Sequence, residues 1–433
     1  MSAHTDAPPT DEAWPTTDAP AVQAQIAWRG PAIAVGLALI SLIVFGALTP
    51  GAHSTRFMLS STGDFVEIAP FAVPSRATAL VLSVLALGVA AWITWLTVRR
   101  RAVPAWSQLT VGGLVLLAFL VWVMAGNPNA LPLTVLLTGA LTLAVPLIFG
   151  ALSGLLCERS GIINIAIEGQ LLAGAFLAVV VASLTDNPYA GLVAAPVAGA
   201  LVGLVLVLFA VRYWIDQIIV GVVLNVLVIG VTNYLFSTVL TQNPEALNSP
   251  PRLPTLPIPV LSQIPVLGPV LFEHSAVVYL MYVAVAVLQV MVFRSRWGLR
   301  MRAVGEHPKA ADTVGIKVNR TRVLNTVLGG AVAGLGGAAL VSAGLAFTKE
   351  LTSGRGYIAL AAMILGRWSP KGALAASLLF GFADSLRQVL NTLGSPVPSQ
   401  FLSMLPSLAT IFAVAGLVGR VRPPAAEGVP YVK

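Results

Sequence analysis

The chain has 433 residues, of which 57% are hydrophobic and 10% are charged, and its formal net charge is +8. An ordinary soluble domain is about 25% charged, so this composition excludes a soluble enzyme or binding domain. Many apolar runs reach the roughly 20 residues that cross a 30 Å hydrocarbon core, and they are continuous, unlike the alternating strands of a β-barrel. The sequence therefore predicts an all-α, polytopic membrane protein.

The first 28 residues are rich in Pro, Thr, Ala and Asp, which predicts a disordered tail. This tail is acidic where a signal peptide would be basic, so we do not interpret it as one. About 10–12 membrane spans are expected after it. The apolar stretches fall at 31–49, 77–98, 109–126, 133–156, 162–184, 190–211, 216–238, 276–293, 323–346, 356–366, 371–392 and 401–419. The stretch 356–366 is too short to cross a membrane alone.

Positive charge gathers on one predicted face of the membrane when the N-terminus is placed inside. That face receives Arg99 to Arg101, Arg159, Arg212, the loop 294–322, Lys371, Arg420 and Arg422. Short loops rich in Lys and Arg stay in the cytoplasm, so we expect both termini to be cytoplasmic. The long loop 239–275 then lies outside. Its eight prolines predict a stiff, extended segment without regular hydrogen bonding, serving either as a spacer or as a surface for a delivery protein.

Two Gly-containing segments predict broken helices within an inverted repeat. SGIINIAIEGQLLAG begins at Ser160 and GRGYIALAAMILGRW at Gly354, and each follows a Gly-rich span. The predicted topology starts them on opposite sides of the membrane, as an inverted repeat requires. Gly pairs four residues apart, such as Gly330 and Gly334, indicate close helix packing.

A few polar residues interrupt the apolar spans. Asn164 and Glu168 lie four residues apart and share a helix face, as do Asn225 and Asn233 at a spacing of eight. Intramembrane carboxylates are costly and usually face a cavity or a partner. Glu168 is therefore either a cap on the exposed backbone of a neighbouring helix or a translocation-path residue. We include Asn164, Glu168, Asn225, Asn233 and Tyr357 as candidate path residues.

The loop 294–322 carries eight Lys and Arg residues and its own helix signal. Pro308 suits the first turn of a helix, and Gly315 suits a left-handed ending. A short helix between spans on the cytoplasmic face predicts a docking element for a soluble partner. The sequence contains no G-x-x-x-x-G-K-[ST] phosphate loop, no H-E-x-x-H metal motif and no G-x-S-x-G nucleophile elbow. We therefore predict a protein that is not an enzyme and has no catalytic or metal site.

Three blocks resemble the permease subunits of nucleoside-type ABC importers, a group that includes ribose and branched-chain amino acid permeases. They are ERSGIINIAIEGQLLAGAF (158–176), GLRMRAVGEHPKAADTVGIKV (298–318) and GYIALAAMILGRWSPKGALAASLLFGFADSL (356–386). The resemblance covers roughly residues 110–420. It implies a permease that carries a small polar solute, with a nucleoside as the expected solute, across a bacterial plasma membrane.

The resemblance also implies partners and a coupling site. The partners are a cytoplasmic ATPase that binds ATP and Mg, a second identical or related permease, and an extracellular receptor or lipoprotein. The coupling helix would be 306–315, with a small Ala310/Ala311 face for close approach. Its candidate residues are Glu306, His307, Pro308, Lys309, Ala310, Ala311, Asp312 and Gly315. Lys309-Ala310-Ala311 with Gly315 is similar to the permease pattern E-A-A-x-x-x-G, with Lys in place of Glu.

These inferences divide the chain into a tail (1–28), an extra transmembrane hairpin (29–108), a permease core (109–422) and a C-terminal tail (423–433). Transport of a sugar or a branched-chain amino acid by the same kind of permease stays open. The buried Glu168 and the predicted repeat also leave open an ion-coupled secondary transporter.

Overall fold

The computed structural model describes residues 28–60, 65, 68–395, 397–404 and 422–432. The predicted disordered tail up to residue 27 and most of the predicted span 401–419 lie outside the described residues. Within the described residues, ten helices are long and apolar enough to cross a membrane. The prediction of a polytopic helical membrane protein is therefore confirmed.

Three helices form an N-terminal unit. They are α1 (Arg29–Ile40, continued by a π-helical segment Ser41–Ala47), α2 (Ser75–Val98) and α3 (Ala105–Val123). Small buried residues such as Ala38, Ala86 and Ala90 bring the three helices together. The division predicted at residue 108 falls inside α3, which packs on α1 and α2. The extra N-terminal element therefore contains three helices, where the sequence predicted a hairpin.

A small sheet connects this unit to the rest of the bundle. Strands β1 (Ser54–Met58) and β2 (Phe71–Pro74) precede α2, and β3 (Leu131–Pro132) follows α3. β1 pairs antiparallel with β2 and parallel with β3, so that Phe57 faces Leu131. Leu131 immediately precedes the next span, so the sheet fixes where that span begins.

The core begins with α4 (Leu133–Glu158), α5 (Ile167–Thr185), α6 (Pro188–Val207) and α7 (Gln217–Leu235). Every residue of α4 from Ala144 to Cys157 is buried, which places this helix at the centre of the bundle. α6 and α7 continue as π-helical segments to Arg212 and Leu240. The carboxylate of Asp216 caps α7 by accepting hydrogen bonds from two backbone N–H groups.

The proline-rich loop contains the helix α8 (Pro244–Leu247) and the strands β4 (Thr255–Pro257) and β5 (Glu273–Ser275). β4 and β5 pair antiparallel, with Leu256 opposite His274. The prediction that this loop lacks regular hydrogen bonding is therefore wrong. Pro254 precedes β4 and Pro257 is its last residue. Thr255 and Leu256 lie between them and keep their backbone N–H groups, so a short ladder can form.

The remaining helices complete the core. They are α9 (Ala276–Arg294), α10 (Arg296–Glu306), α11 (Pro308–Thr313), α12 (Val318–Val341), α13 (Arg355–Leu365), α14 (Pro370–Thr392) and α15 (Ser399–Ser403). α13 has 11 residues and is too short to cross a membrane, as the sequence indicated.

The packing supports the predicted inverted repeat, with α4–α6 corresponding to α12–α14. α4 and α12 run antiparallel, because Gly329 lies against Cys157 while Gly336 lies against Phe149. α12 packs extensively on α6, and its counterpart α4 packs extensively on α14. At the crossing of α6 and α12, an added Cβ on Gly199 would lie 2.1 Å from the carbonyl oxygen of Gly330. Glycine is therefore required for these backbones to approach so closely.

Candidate functional site

The first repeat is broken between α4 and α5, over residues 159–166. Gly161 has φ +89°, a conformation that favours glycine. Asn164 is fully buried in this break, and its amide donates hydrogen bonds to Gln170 Oε1 (3.0 Å) and Ser153 Oγ (3.1 Å). Gln170 donates in return to Asn164 Oδ1 (3.3 Å). The geometry assigns Asn164 to a satisfied network that holds the break, at a distance from any exposed surface.

Glu168 lies in the first turn of α5 and caps the first turn of α13. Its side chain is 4% exposed. Oε1 accepts from Thr352 Oγ1 (2.6 Å) and the backbone N–H of Gly354 (2.8 Å), and Oε2 accepts from the N–H of Gly356 (2.6 Å). The first N–H groups of a helix have no partner within the helix and carry partial positive charge. The structure therefore shows the first of the two alternatives, a carboxylate that caps a neighbouring helix.

Asn225 connects α7 to the same region. Its Oδ1 accepts from the N–H of Gly169 (2.8 Å), and its amide donates to the carbonyl of Ile165 (2.9 Å) and to the hydroxyl of Tyr357 (3.2 Å). The first turns of α5 and α13 are thus joined by one buried carboxylate and one buried amide. We call Glu168, Asn225 and Tyr357, with these two first turns, the crossover site.

Tyr357 is the part of the crossover site that reaches the surface. Its side chain is 48% exposed, whereas those of Glu168 and Asn225 are buried. Asn233 lies two turns further along α7 and is half-buried, and its Oδ1 has no hydrogen-bond partner. The structure therefore brings Glu168, Asn225 and Tyr357 together, and leaves Asn164 and Asn233 outside the crossover site.

The loop 294–322 forms the second region of interest. α11 begins at Pro308, as the sequence predicted, and Gly315 follows it with φ +84°. The predicted helix 306–315 is too long, since Glu306 ends α10 and His307 separates the two helices. α11 has six residues and lies between the end of α10 and the start of α12.

The prediction that Ala310 and Ala311 together form a small contact face is wrong for Ala311. Ala311 is buried and packs against Val304 and Val318 of its own chain, so it cannot be a contact for a partner. Ala310 and Lys309 are exposed, and Val314, directly after α11, is 74% exposed. The side that can meet a partner is therefore formed by the residues flanking Ala311.

The C-terminal segment 422–432 folds back onto this loop, which the sequence did not predict. Backbone N–H groups of Ala425 and Ala426 donate to Glu306 Oε2 (3.2 Å) and the Gly305 carbonyl (2.8 Å). The buried Arg322 donates from Nη1 to the Val429 carbonyl (2.9 Å). A run of Pro, Ala and Gly carries no periodicity that would reveal such a fold.

Two side chains anchor the segment. Tyr431 is buried with Ala311, and its hydroxyl donates to the carboxylate of Asp312. The carboxyl of Glu427 is hydrogen-bonded to that of Glu158, and burial raises the pKa of Glu427. The charged groups around this end of the segment are Glu158 on α4, Arg322 on α12 and Glu306 on α10.

Of the two predicted half-helices only α13 is short, with 11 residues, whereas α5 has 19 residues and is long enough to cross a membrane. A helical bundle in which a half-length helix meets an interrupted span, with a separate short helix in a loop, is typical of membrane transport proteins. A family model for the permease component of the branched-chain amino acid transport system matches residues 136–418. The chain belongs to this family of ABC transporter permeases. It is a multi-pass integral membrane protein, and the predicted resemblance is confirmed.

Named relatives extend this result. The guanosine ABC transporter permease protein NupQ of Bacillus subtilis is 39% identical over 70% of this chain and 97% of its own length. The nucleoside ABC transporter permease protein NupC of Lactococcus lactis is 35% identical over 70% and 98%. A putative glucose ABC transporter permease of Haloferax volcanii is 32% identical over 66% and 92%. These relatives are permease subunits and not enzymes. No solved structure matches the chain.

Proposed function

We propose that this chain forms the translocation path of an ATP-driven importer for nucleosides. The observation that carries the proposal is the similarity to guanosine and nucleoside permeases over 97–98% of their length. The family match includes both the crossover site and α11. Similarity to a glucose permease is weaker, so a sugar is the second substrate to test.

The proposed assembly follows from what the chain lacks. Its sequence has no phosphate-binding loop, so ATP and Mg would be bound by a separate cytoplasmic ATPase, which supplies the free energy of hydrolysis. A second permease, identical or related, and an external receptor complete the importer. The membrane is the bacterial plasma membrane, with both termini in the cytoplasm.

α11 is proposed as the coupling helix. It is joined to α12 by four residues, and Ala311 and Asp312 are fixed by packing and hydrogen bonding within the chain. A helix held in this way moves as a rigid body with the start of α12. Displacement of α11 by the ATPase would therefore be transmitted to the packed pair α12 and α6.

Tyr357 is proposed as the path residue of the crossover site, and Glu168 and Asn225 as its supports. The half-exposed ring offers an aromatic face, and base–aromatic stacking is worth about 1–3 kcal/mol in single-stranded nucleic acid binding. Tyr357→Ala should raise the KM for a nucleoside several-fold with normal expression, and its melting temperature should fall by at most about 1–3 °C, because the Asn225 amide loses one acceptor and keeps its bond to the Ile165 carbonyl. An unchanged KM would remove Tyr357 from the path.

Transport is tested by deleting the gene and measuring uptake of radiolabelled guanosine, adenosine, uridine, ribose, glucose and leucine. Loss of nucleoside uptake, restored by the cloned gene, supports the proposal. Loss of glucose or leucine uptake alone would contradict the nucleoside assignment. Uptake that collapses with an uncoupler while ATP is held constant would instead indicate an ion-coupled transporter.

Coupling is tested with Val314→Arg. Because Val314 is 74% exposed, the substitution costs no packing within the chain, but it places a charge where the ATPase would dock. We expect normal expression with at least a tenfold loss of uptake and of ATPase co-purification. Ala102→Arg is the matched control, because Ala102 is exposed on the same predicted membrane face and lies outside the family match. Undiminished uptake by Val314→Arg would count against α11 as the docking element.

A further inference from the structure

We propose that the ATPase-docking surface is composite, and that the C-terminal segment 422–432 forms one side of it beside α11. This inference rests on the proposed function, since it names which residues of this chain meet the ATPase. We call the paired α11 and segment 422–432 the docking platform.

Besides its contacts with α11 and with Glu158 on α4, the segment is held by three further parts of the chain. It bonds to α10 through Gly305 and Glu306, and to α12 through Arg322. The N–H of Gly428 donates to the carbonyl of Gly161 (3.3 Å), in the break that precedes α5. A segment with so many specific partners is an ordered part of the fold, and its outward side is a defined surface.

Tyr431 joins the segment directly to α11. Its ring fills the space beside Ala311, Val304 and Val318, and its hydroxyl bonds to Asp312. Since Ala311 and Asp312 belong to a helix of six residues, one side of α11 is occupied by Tyr431. The ATPase can therefore reach only the other side of α11, together with the outer side of the segment.

Three valines are exposed on α11's flank and on the segment. Val432 is 57% exposed directly beside Tyr431, and Val429 is 52% exposed two residues before it. Val314 is 74% exposed three residues after Ala311, the alanine that Tyr431 covers. On the predicted cytoplasmic face no lipid tails cover these three valines, and exposed apolar side chains beside an ordered platform favour contact with a protein. The platform also exposes Lys309 and Arg422, so the partner that fits it is an ATPase cleft that offers apolar surface together with acidic groups.

The platform also explains how docking reaches the crossover site. Movement of α11 would carry Tyr431 and the segment with it. The segment contacts Gly161, and the carbonyl of Arg159 lies against Gly305 at the end of α10. Both contacts meet the break 159–166, which ends where α5 and the Glu168 cap begin. The platform therefore has a direct connection to the first turn of α5, in addition to its connection through α12.

The test is cysteine labelling of the full chain. The native Cys157 is fully buried, so it gives little background in the folded protein. Single variants Val314→Cys, Val429→Cys and Val432→Cys should react with a polar maleimide in inside-out vesicles, whereas Ala426→Cys, at a buried position, should react at least tenfold more slowly than Ala425→Cys. Equal labelling of Ala425→Cys and Ala426→Cys would show that the segment is not docked and would overturn the inference.

The second step adds the ATPase. Its binding should slow labelling at Val314→Cys, Val429→Cys and Val432→Cys at least tenfold, while Ala102→Cys stays reactive. Protection of Val314→Cys alone would retain α11 as the docking site and overturn the composite surface. Protection at none of the three positions, with ATPase bound elsewhere on the vesicles, would overturn the proposed role of α11 as well.

Discussion

Removal of the Glu168 carboxylate is the most direct perturbation of the crossover site. In Glu168→Ala, three donors lose their acceptor at once: the hydroxyl of Thr352 and the N–H groups of Gly354 and Gly356. A buried donor left without a partner costs about 1–3 kcal/mol. The Thr352 hydroxyl can rotate to another acceptor and the Gly354 N–H is only part-buried, so we expect about 3–6 kcal/mol in total.

This loss of unfolding free energy corresponds to a fall in the melting temperature. An unfolding entropy of about 2.1 cal/mol/K per residue gives about 0.9 kcal/mol/K for the chain, so each kcal/mol lowers the midpoint by about 1 °C. Glu168→Ala should therefore melt about 3–6 °C below the wild type. The melting temperature of Glu168→Gln should lie between those of the wild type and Glu168→Ala. The single carbonyl oxygen of Gln can accept only part of the three bonds, and its NH₂ group opposes an N–H donor.

The assay uses the buried thiol of Cys157, which reacts with a fluorogenic maleimide when the chain unfolds in detergent. Glu350→Gln is the matched control, because Glu350 is an exposed carboxylate in the loop that precedes α13. A midpoint for Glu168→Ala within 1 °C of both the wild type and this control would refute the capping role. Uptake should also fall in Glu168→Ala, because the first turn of α13 carries Tyr357.

Two further predictions concern the helix crossing and the C-terminal segment. Gly199→Ala should lower the midpoint by about 1–3 °C, since its Cβ would meet the Gly330 carbonyl and overpacking costs about 1–3 kcal/mol. Gly230→Ala, with no atom within 4 Å, is the control, and equal midpoints would contradict the close crossing. Burial raises the pKa of Glu427, so the docked segment holds its proton more tightly than a released one. Docking should weaken as pH rises through that raised pKa, seen as faster maleimide labelling of Ala426→Cys relative to Ala102→Cys at each pH. Because the Glu427 carboxyl shares a hydrogen bond with Glu158, Glu427→Gln should weaken this pH dependence, and an unchanged dependence would assign it to another group.

Local features of the sequence predicted much of the fold. Apolar runs revealed the spans because a membrane requires continuous apolar surface. Pro308 and Gly315 located α11 because each residue has a restricted or permissive backbone that suits one end of a helix. The Gly-rich blocks indicated the repeat, since close packing in lipid depends on small residues.

The features that were missed depend on contacts between distant parts of the chain. Ala311 is buried by Tyr431, which follows it by 120 positions, so α11 alone could not reveal which face is covered. α3 was assigned to the core because its apolar run does not say that it packs on α1 and α2. Glu168 was recognised as important from its cost in a membrane, but its role depended on the position of α13, which only the folded chain shows.

The 11 residues of α13 span about 16 Å, roughly half of a 30 Å hydrocarbon layer. α13 lies beside the half of α4 that ends at Glu158, because Ala359 contacts Gly150 and Met363 contacts Gly154. The irregular segment 342–354 precedes α13, and four of its residues have positive φ: Gly344, Glu350, Ser353 and Gly354. Changing the conformation of that segment breaks no helical hydrogen bonds. This part of the bundle therefore consists of one helical half and one irregular half, and the bonds of Thr352 and Gly354 to Glu168 must break before the irregular half can rearrange.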